Sequence, residues 1–408
     1  DPSFPATVDG VVDDRALEHS FRLGIEIVPT LVRMKGGEEV ARTFGWHRGD
    51  WEALTGVVNL GPGLPESKPG CGSRSVEPGV EDQLSIRFGG VSFGSRKIDV
   101  GDAEDTIEAC FDRGWSDGLP VVPPTELRVL RMLNGTTRDP DELLGQVPPA
   151  LSPCTVEKAA VNAVLAGCKP EYFPVVLAAV EAVLNPDFAM HGVLATTDFA
   201  SPIVIVSGPI AKRIGMNSGC NALGQGTRAN ATIGRAVQLV IRNIGGGVPG
   251  GVDRATLGHP GKFTYCIAED ESDEDWVPLR VDRGLPKETS AVTMFAGGGV
   301  HGIWVEGARR PEDIVEQTGE WLHRLGFPGL LGHAVVIITP EFHRIYSEHG
   351  WGRERIKSAL LEASQGMIDE EGLLLVRAGG PAGLASAAIG GWGVGERGSN
   401  PITKEIGT

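Results

Sequence analysis

The chain has 408 residues, enough for two to three domains at about 150 residues each. With 58 glycines, 28 prolines, 41% hydrophobic residues and no repeating triplet, it reads as a globular protein rich in tight turns, neither collagen-like nor disordered. Thirty-seven basic against 53 acidic residues give a net charge of −16, which repels phosphate backbones and argues against nucleic-acid and anionic-membrane partners.

No apolar stretch approaches the ~18 residues of a membrane helix, and the most apolar one, 172–184, is broken by Pro174 and Glu181. The N-terminus carries no basic-then-apolar signal, so the expected location is the cytoplasm. The six cysteines (71, 110, 154, 168, 220 and 266) form no CxxC and are too scattered for a disulfide framework. They are expected to be free thiols.

Residues 1–62 form the first expected unit. A helix is predicted over Val12–Arg22. An extended run, Gly24–Met34, turns at Lys35-Gly36-Gly37 into Glu39–Phe44, and a short helix follows around Asp50–Leu54. That order, with the "VPTL" and "KGGEEVARTFGW" segments, resembles the C-terminal half of a thioredoxin fold. The resemblance implies that Pro29 is the cis-proline beside a redox centre. The strand and helix that carry CxxC in thioredoxins do not occur in these residues, so no dithiol role is carried over; a docking remnant is the alternative. Residues 63–100 then read as a Pro/Gly/Ser-rich linker containing Cys71-Gly72-Ser73-Arg74.

From 101 to 290 the pattern alternates. Helices are expected at Ala103–Arg113, from Thr125-Glu126, from an N-cap at Ser152-Pro153 to Gly167, and from Pro170 to Asn185. The prolines of 114–124 bar that stretch from a central strand. Ile203–Val206 reads as a buried strand. A Gly-rich loop, Asn217–Thr227, opens a helix whose Ile233, Ala236, Val237, Val240, Ile241 and Ile244 form one apolar stripe. The acidic run Glu269–Asp275 is expected to be a solvated loop. From 291 to 408 strands at Ala291–Phe295, Val335–Ile338 and Leu373–Val376 alternate with helices at Pro311–Leu325 and from Thr339-Pro340. The expected class is therefore α/β: a partial thioredoxin-like N-terminal unit followed by a larger α/β region with Gly-rich loops.

Chemistry has three candidate seats. The loop 217–227 aims backbone N–H groups from a helix start, which suits a carboxylate or phosphate, with Asn217, Ser218, Asn221, Arg228, Asn230 and Lys262 as substrate-binding candidates. It matches neither GxGxxG nor a P-loop, and a connector with a salt-bridged Arg stripe (Arg228, Arg235, Arg242) is the plain alternative. Cys71 lies among small residues beside Arg74, whose charge favours the thiolate; Cys220 is the second candidate thiol. His259 and His301, in Gly-rich loops, are candidate proton-transfer groups. His191, His259, Cys266 and His301 are the candidate metal ligands, although no spacing matches a zinc signature. His323, His343 and His349 are expected at ordinary helix surfaces.

The blocks "RGWSDGLPVVPPTE", "AGCKPEYFPVVLAAVEA", "RANATIGRAVQLVIRNIGG" and "ATLGHPGKFTYCIAED" resemble a bacterial family associated with UGSC-type (Sec/Cys-Gly-Ser-Cys) proteins. Cys71-Gly72-Ser73 matches three positions of that motif, and Arg74 stands where the second cysteine would be, which counts against an internal disulfide there. The resemblance implies thiol-centred chemistry. The expected function is a thiol-dependent oxidoreductase or lyase acting on a small anionic or carbonyl-containing metabolite, in a homo-oligomer or hetero-complex and with a metal ion as the candidate cofactor. A metal or iron–sulfur hydro-lyase and a non-catalytic subunit of a redox complex are the competing expectations.

Overall fold

The computed structural model describes residues 12–90, 93–101, 104–325, 331–393 and 398–407. The chain divides into two compact units, 1–93 and 94–408, which are taken in turn.

In the first unit α1 (Glu18–Arg22) leads to β1 (Ile27–Val28), β2 (Thr30–Lys35), β3 (Glu38–Phe44) and β4 (Trp46–His47). There follow α2 (Arg48–Thr55), β5 (Ser67–Lys68), β6 (Cys71–Gly72) and α3 (Val80–Phe88). The first helix is shorter than its expected span because Leu17 takes a left-handed conformation and holds the chain outside the helix until Glu18. β2 and β3 form the expected antiparallel hairpin around Gly36 and Gly37, both at positive φ. The Val28–Pro29 peptide is cis. The stretch expected as a linker is structured: β5 pairs with β4, β6 pairs with β1, and a 3₁₀ turn covers Arg74–Val76. Among the described residues of this unit Leu84 is the one fully buried apolar side chain, so short ladders and side-chain hydrogen bonds do most of the structural work.

The second unit begins with α4 (Thr106–Asp112) and α5 (Glu126–Leu133), capped by the side chains of Asp105 and Thr125. A hairpin of β7 (Leu143–Val147) and β8 (Ser152–Thr155) precedes α6 (Val156–Ala166). Ser152-Pro153 therefore belongs to a strand rather than a cap. The cap is Thr155, whose hydroxyl accepts from Lys158 N, and Gly167 ends the helix in the left-handed region. α7 (Phe173–Val183) and α8 (Met190–Ala195) lead to β9 (Ser201–Ser207), α9 (Pro209–Arg213) and the apolar-striped α10 (Arg228–Asn243). Then come β10 (Cys266–Ala268), α11 (Leu279–Asp282), β11 (Ala291–Trp304), α12 (Pro311–Leu325), β12 (Gly332–Ile338), α13 (Pro340–Glu348) and α14 (Arg353–Ala363). β13 (Ile368–Arg377), β14 (Ala385–Gly391) and β15 (Ile402–Glu405) complete the chain.

Seven strands form one mixed sheet in the order β10-β9-β11-β14-β12-β13, with β15 beside the first part of β11. β10–β9 and β12–β13 are parallel and the other pairs antiparallel. The fold is α/β. Because the first half of β11 pairs with β9 and its second half with β14, the boundary expected at 290 falls inside a continuous sheet.

The sheet curls on itself. Ile203, Ile205, Ile267 and Phe295 meet Val335, Ile337, Leu374 and Val376 across its inner face. The outer faces of β12 and β13 pack Val336, Ile338 and Leu375 against Leu322, Phe342 and Ile356 of α12–α14. Each such side chain contributes about 1.5–3 kcal/mol by leaving water. At the open seam Asp270 N donates to Arg377 O at 2.7 Å, tying the end of β10 to the end of β13. Among the described residues no single helix is long and apolar enough to cross a membrane. The bent pair Pro170–Val183 and Pro186–Ala195 passes such a test only as a pair, and its apolar residues line the core.

Candidate functional site

Of the six cysteines, Cys71 and Cys220 are exposed, and each belongs to a different unit. Burial pushes the Cys154 and Cys168 thiols up to about 12, and it raises Cys110 and Cys266 as well, so these four are held as neutral thiols at physiological pH.

Cys71 sits on β6 directly opposite Val28 of β1. The turn after it is tied down from beneath. Ser73 N donates to Glu26 O at 2.8 Å, and Ser75 Oγ donates to Ile25 O at 2.7 Å. The Ser73 and Ser75 hydroxyls bond each other at 2.7 Å, and both serines are buried. Such a base fixes the backbone while leaving Cys71, Gly72 and Arg74 exposed. On the N-terminal side of the cysteine, Gly70 lies so close to β1 that a Cβ would fall 2.2 Å from Ile27 Cγ2. Gly70 also borders a cleft of about 420 Å³ walled by Ile27, Phe44, Trp46, His47 and Lys68.

In the loop 217–227 the asparagine side chains bond the loop's own backbone. Asn217 Oδ1 accepts from Gly219 N, and its Nδ2 donates to Cys220 O. Asn230 Oδ1 accepts from Asn217 N and Thr227 Oγ1, and its Nδ2 donates to Asn217 O. Asn221 Nδ2 donates to Gln225 O. Ser218 contributes its carbonyl, which accepts from Gly379 N, and a Cβ on Gly380 would lie 2.9 Å from Cys220 Sγ. The loop is therefore a plug seated on the chain after β13, with Ala222 and Leu223 entering the inner core. Arg228 Nε donates to Gly167 O, Arg235 pairs bidentately with Asp117, and Lys262 pairs with Asp253 at 2.8 Å. Of the stripe that the plain alternative took to be salt-bridged, Arg235 has an ion pair, Arg228 a backbone carbonyl, and the buried Arg242 Nε no hydrogen-bond partner among the described residues.

His259 is half-buried; Nδ1 accepts from Gly261 N, and burial holds its pKa below the ordinary value, with Lys262 adding to the effect. Its ring packs edge-on to Tyr265, whose hydroxyl is buried with no hydrogen-bond partner among the described residues. His301 lies on β11 opposite Ala388 and stacks on Trp321 at 5.0 Å. His191 is exposed on α8. Among the described residues no three His, Cys, Asp or Glu side chains gather closely enough to hold a metal ion, so the four metal candidates do not form one centre.

The acidic run 269–275 departs most from expectation. Glu269 is 4% exposed and accepts from Trp276 Nε1 and Leu279 N, and burial pushes its carboxyl up to about 7. Asp270 pairs with buried Arg377, and Glu271 with Arg280, which is 1% exposed. Asp273 lies 3.1 Å from His343, a residue expected at the surface but 3% exposed. The signal missed was the matching set of arginines at 280, 353 and 377, far apart in sequence but gathered on the seam. A comparison of the chain with known protein families, curated proteins and solved structures finds no match, so the functional reading rests on this geometry.

Proposed function

We propose that this protein is a thiol-dependent enzyme acting on a small anionic or carbonyl-containing metabolite, with Cys71 as its reactive sulfur. The observation that carries the reading is the setting of Cys71: an exposed thiol on a backbone anchored by two buried serines, next in the chain to a glycine that lines a cleft, with the exposed cations Lys68 and Arg74 three residues to either side. A carbonyl carbon presented there accepts the sulfur lone pair as the thiolate adds. The π pair moves to oxygen, and the proton released by the thiol is returned to that oxygen through solvent, giving a reversible hemithioacetal. Exposed cations three residues to either side of Cys71 attract an anionic substrate. Cys220 is the weaker candidate, since its sulfur rests against Gly380 and its loop is organised as a plug.

The test is a turnover screen of small carbonyl-containing carboxylates with the wild type, Cys71→Ser and Cys220→Ser. The reading requires Cys71→Ser to lose about a thousandfold or more in kcat/KM while Cys220→Ser keeps its activity. Full activity in Cys71→Ser removes Cys71 from the chemistry.

A further inference from the structure

The cleft beside Gly70 has a composition of its own. Trp46 and Lys68 are directly opposed in the β4–β5 ladder and so project on the same side of it, with their Cβ atoms about 5 Å apart. The Trp46 indole is held in place, because its Nε1 donates to Pro65 O at 2.6 Å and its ring packs edge-on to Trp51 at 5.2 Å. Phe44 and Ile27 extend the apolar wall. His47 is engaged with Asp50 at 3.2 Å, whereas Lys68 makes no ion pair among the described residues. The bare backbones of Gly45 and Gly70 close the floor: a Cβ on Gly45 would come within 3.0 Å of Gly70 N.

A fixed aromatic wall facing an uncompensated ammonium suits one class of ligand: a flat or branched apolar body carrying a carboxylate. The volume, about 420 Å³, is in the range of small-molecule pockets. We infer that this cleft binds an apolar carboxylate, its ring or branched chain against Trp46 and Phe44 and its carboxylate on Lys68. Cys71 follows the floor glycine in the chain, and the inference extends to it: a ligand seated in the cleft is expected to slow reagents that approach the sulfur. That the ligand is also the substrate of Cys71 rests on the function proposed above; the binding itself does not.

The experiment uses the full chain and reads two thiols at once. Wild-type protein is alkylated with iodoacetamide in the presence of phenylacetate or of its uncharged isostere phenylacetamide, and the rates at Cys71 and Cys220 are separated by peptide mass mapping. At phenylacetate concentrations about ten times its Kd, the Cys71 rate falls about tenfold while the Cys220 rate does not change. Phenylacetamide protects far less, and Lys68→Met removes the phenylacetate effect without altering the unliganded rate at Cys220. Absence of Cys71 protection, equal protection by the amide, or full protection in Lys68→Met each overturns the inference. Turnover by Cys71→Ser bears only on the thiol, so the two failures are distinguishable.

Discussion

Ser75 is a small residue with a large structural share. It is 3% exposed, its hydroxyl reaches the carbonyl of Ile25, and it also engages the Ser73 hydroxyl. Replacing it with Ala leaves a half-buried carbonyl and a buried hydroxyl short of a partner, at a cost of about 1–3 kcal/mol. We expect Ser75→Ala to loosen the segment around Cys71, read as faster amide exchange at Ser73 and faster proteolysis of the N-terminal unit. An unchanged exchange rate would show that the serine pair is not the anchor. Sequence reading singled out Cys71 from its small neighbours and Arg74, but it had no means of seeing that Ser73 and Ser75 point inward, since a pairing between residues 25–28 and 71–75 leaves no periodic trace in a chain with such short strands. The asparagines of the 217–227 loop teach the converse lesson. Asn217, Asn221 and Asn230 looked like ligand groups by type, and the structure spends them on the loop itself, because a turn this rich in glycine has few other ways to satisfy its backbone.

At the scale of elements, the segment from Glu269 to α11 is the one whose behaviour should depend most on pH. The Glu269 carboxyl titrates near 7 in the fold, against an ordinary value of 4.5, chiefly because burial disfavours its charge. A raised carboxylate pKa means that the folded state holds the proton more tightly than the unfolded one. This group therefore costs stability progressively as pH rises from about 4.5 to about 7, by about 3 kcal/mol at most. His343 and His333, whose pKa values burial holds low, act in the opposite sense, removing stability as pH falls below about 6.5. The clean readout is a difference: Glu269→Gln should gain stability relative to wild type between pH 5 and pH 8 in urea titrations. A difference that is flat with pH contradicts the assignment. Helix starts are a simpler case. The wrong cap at Ser152 followed from reading Pro153 as a first helical residue, whereas Thr155 supplies the hydroxyl. Thr155→Ala should cost about 1 kcal/mol, measurable by thermal unfolding.

At the scale of the whole molecule, the α/β class was legible because β9, β12, β13 and α10 carry strong apolar patterns of the right period. The strands that join the two halves of the larger unit were not. β14 is built mostly of Ala and Gly, so its pattern reads as loop, and the second half of β11 passes through Gly297, Gly298, Gly299 and Gly302. Closure of the curled sheet depends on charge as well as apolar packing. Arg377→Ala leaves Asp270 without its partner at the seam and should cost about 3–5 kcal/mol, seen as a lower urea midpoint. The central functional claim, by contrast, turns on a single sulfur, and one measurement addresses it most directly: the second-order rate of a haloacetamide with each of the six cysteines of the native chain at neutral pH, resolved by peptide. The account predicts Cys71 fastest, Cys220 about tenfold slower, and the four buried thiols slower than both by orders of magnitude. A Cys71 that reacts no faster than Cys220 would contradict it.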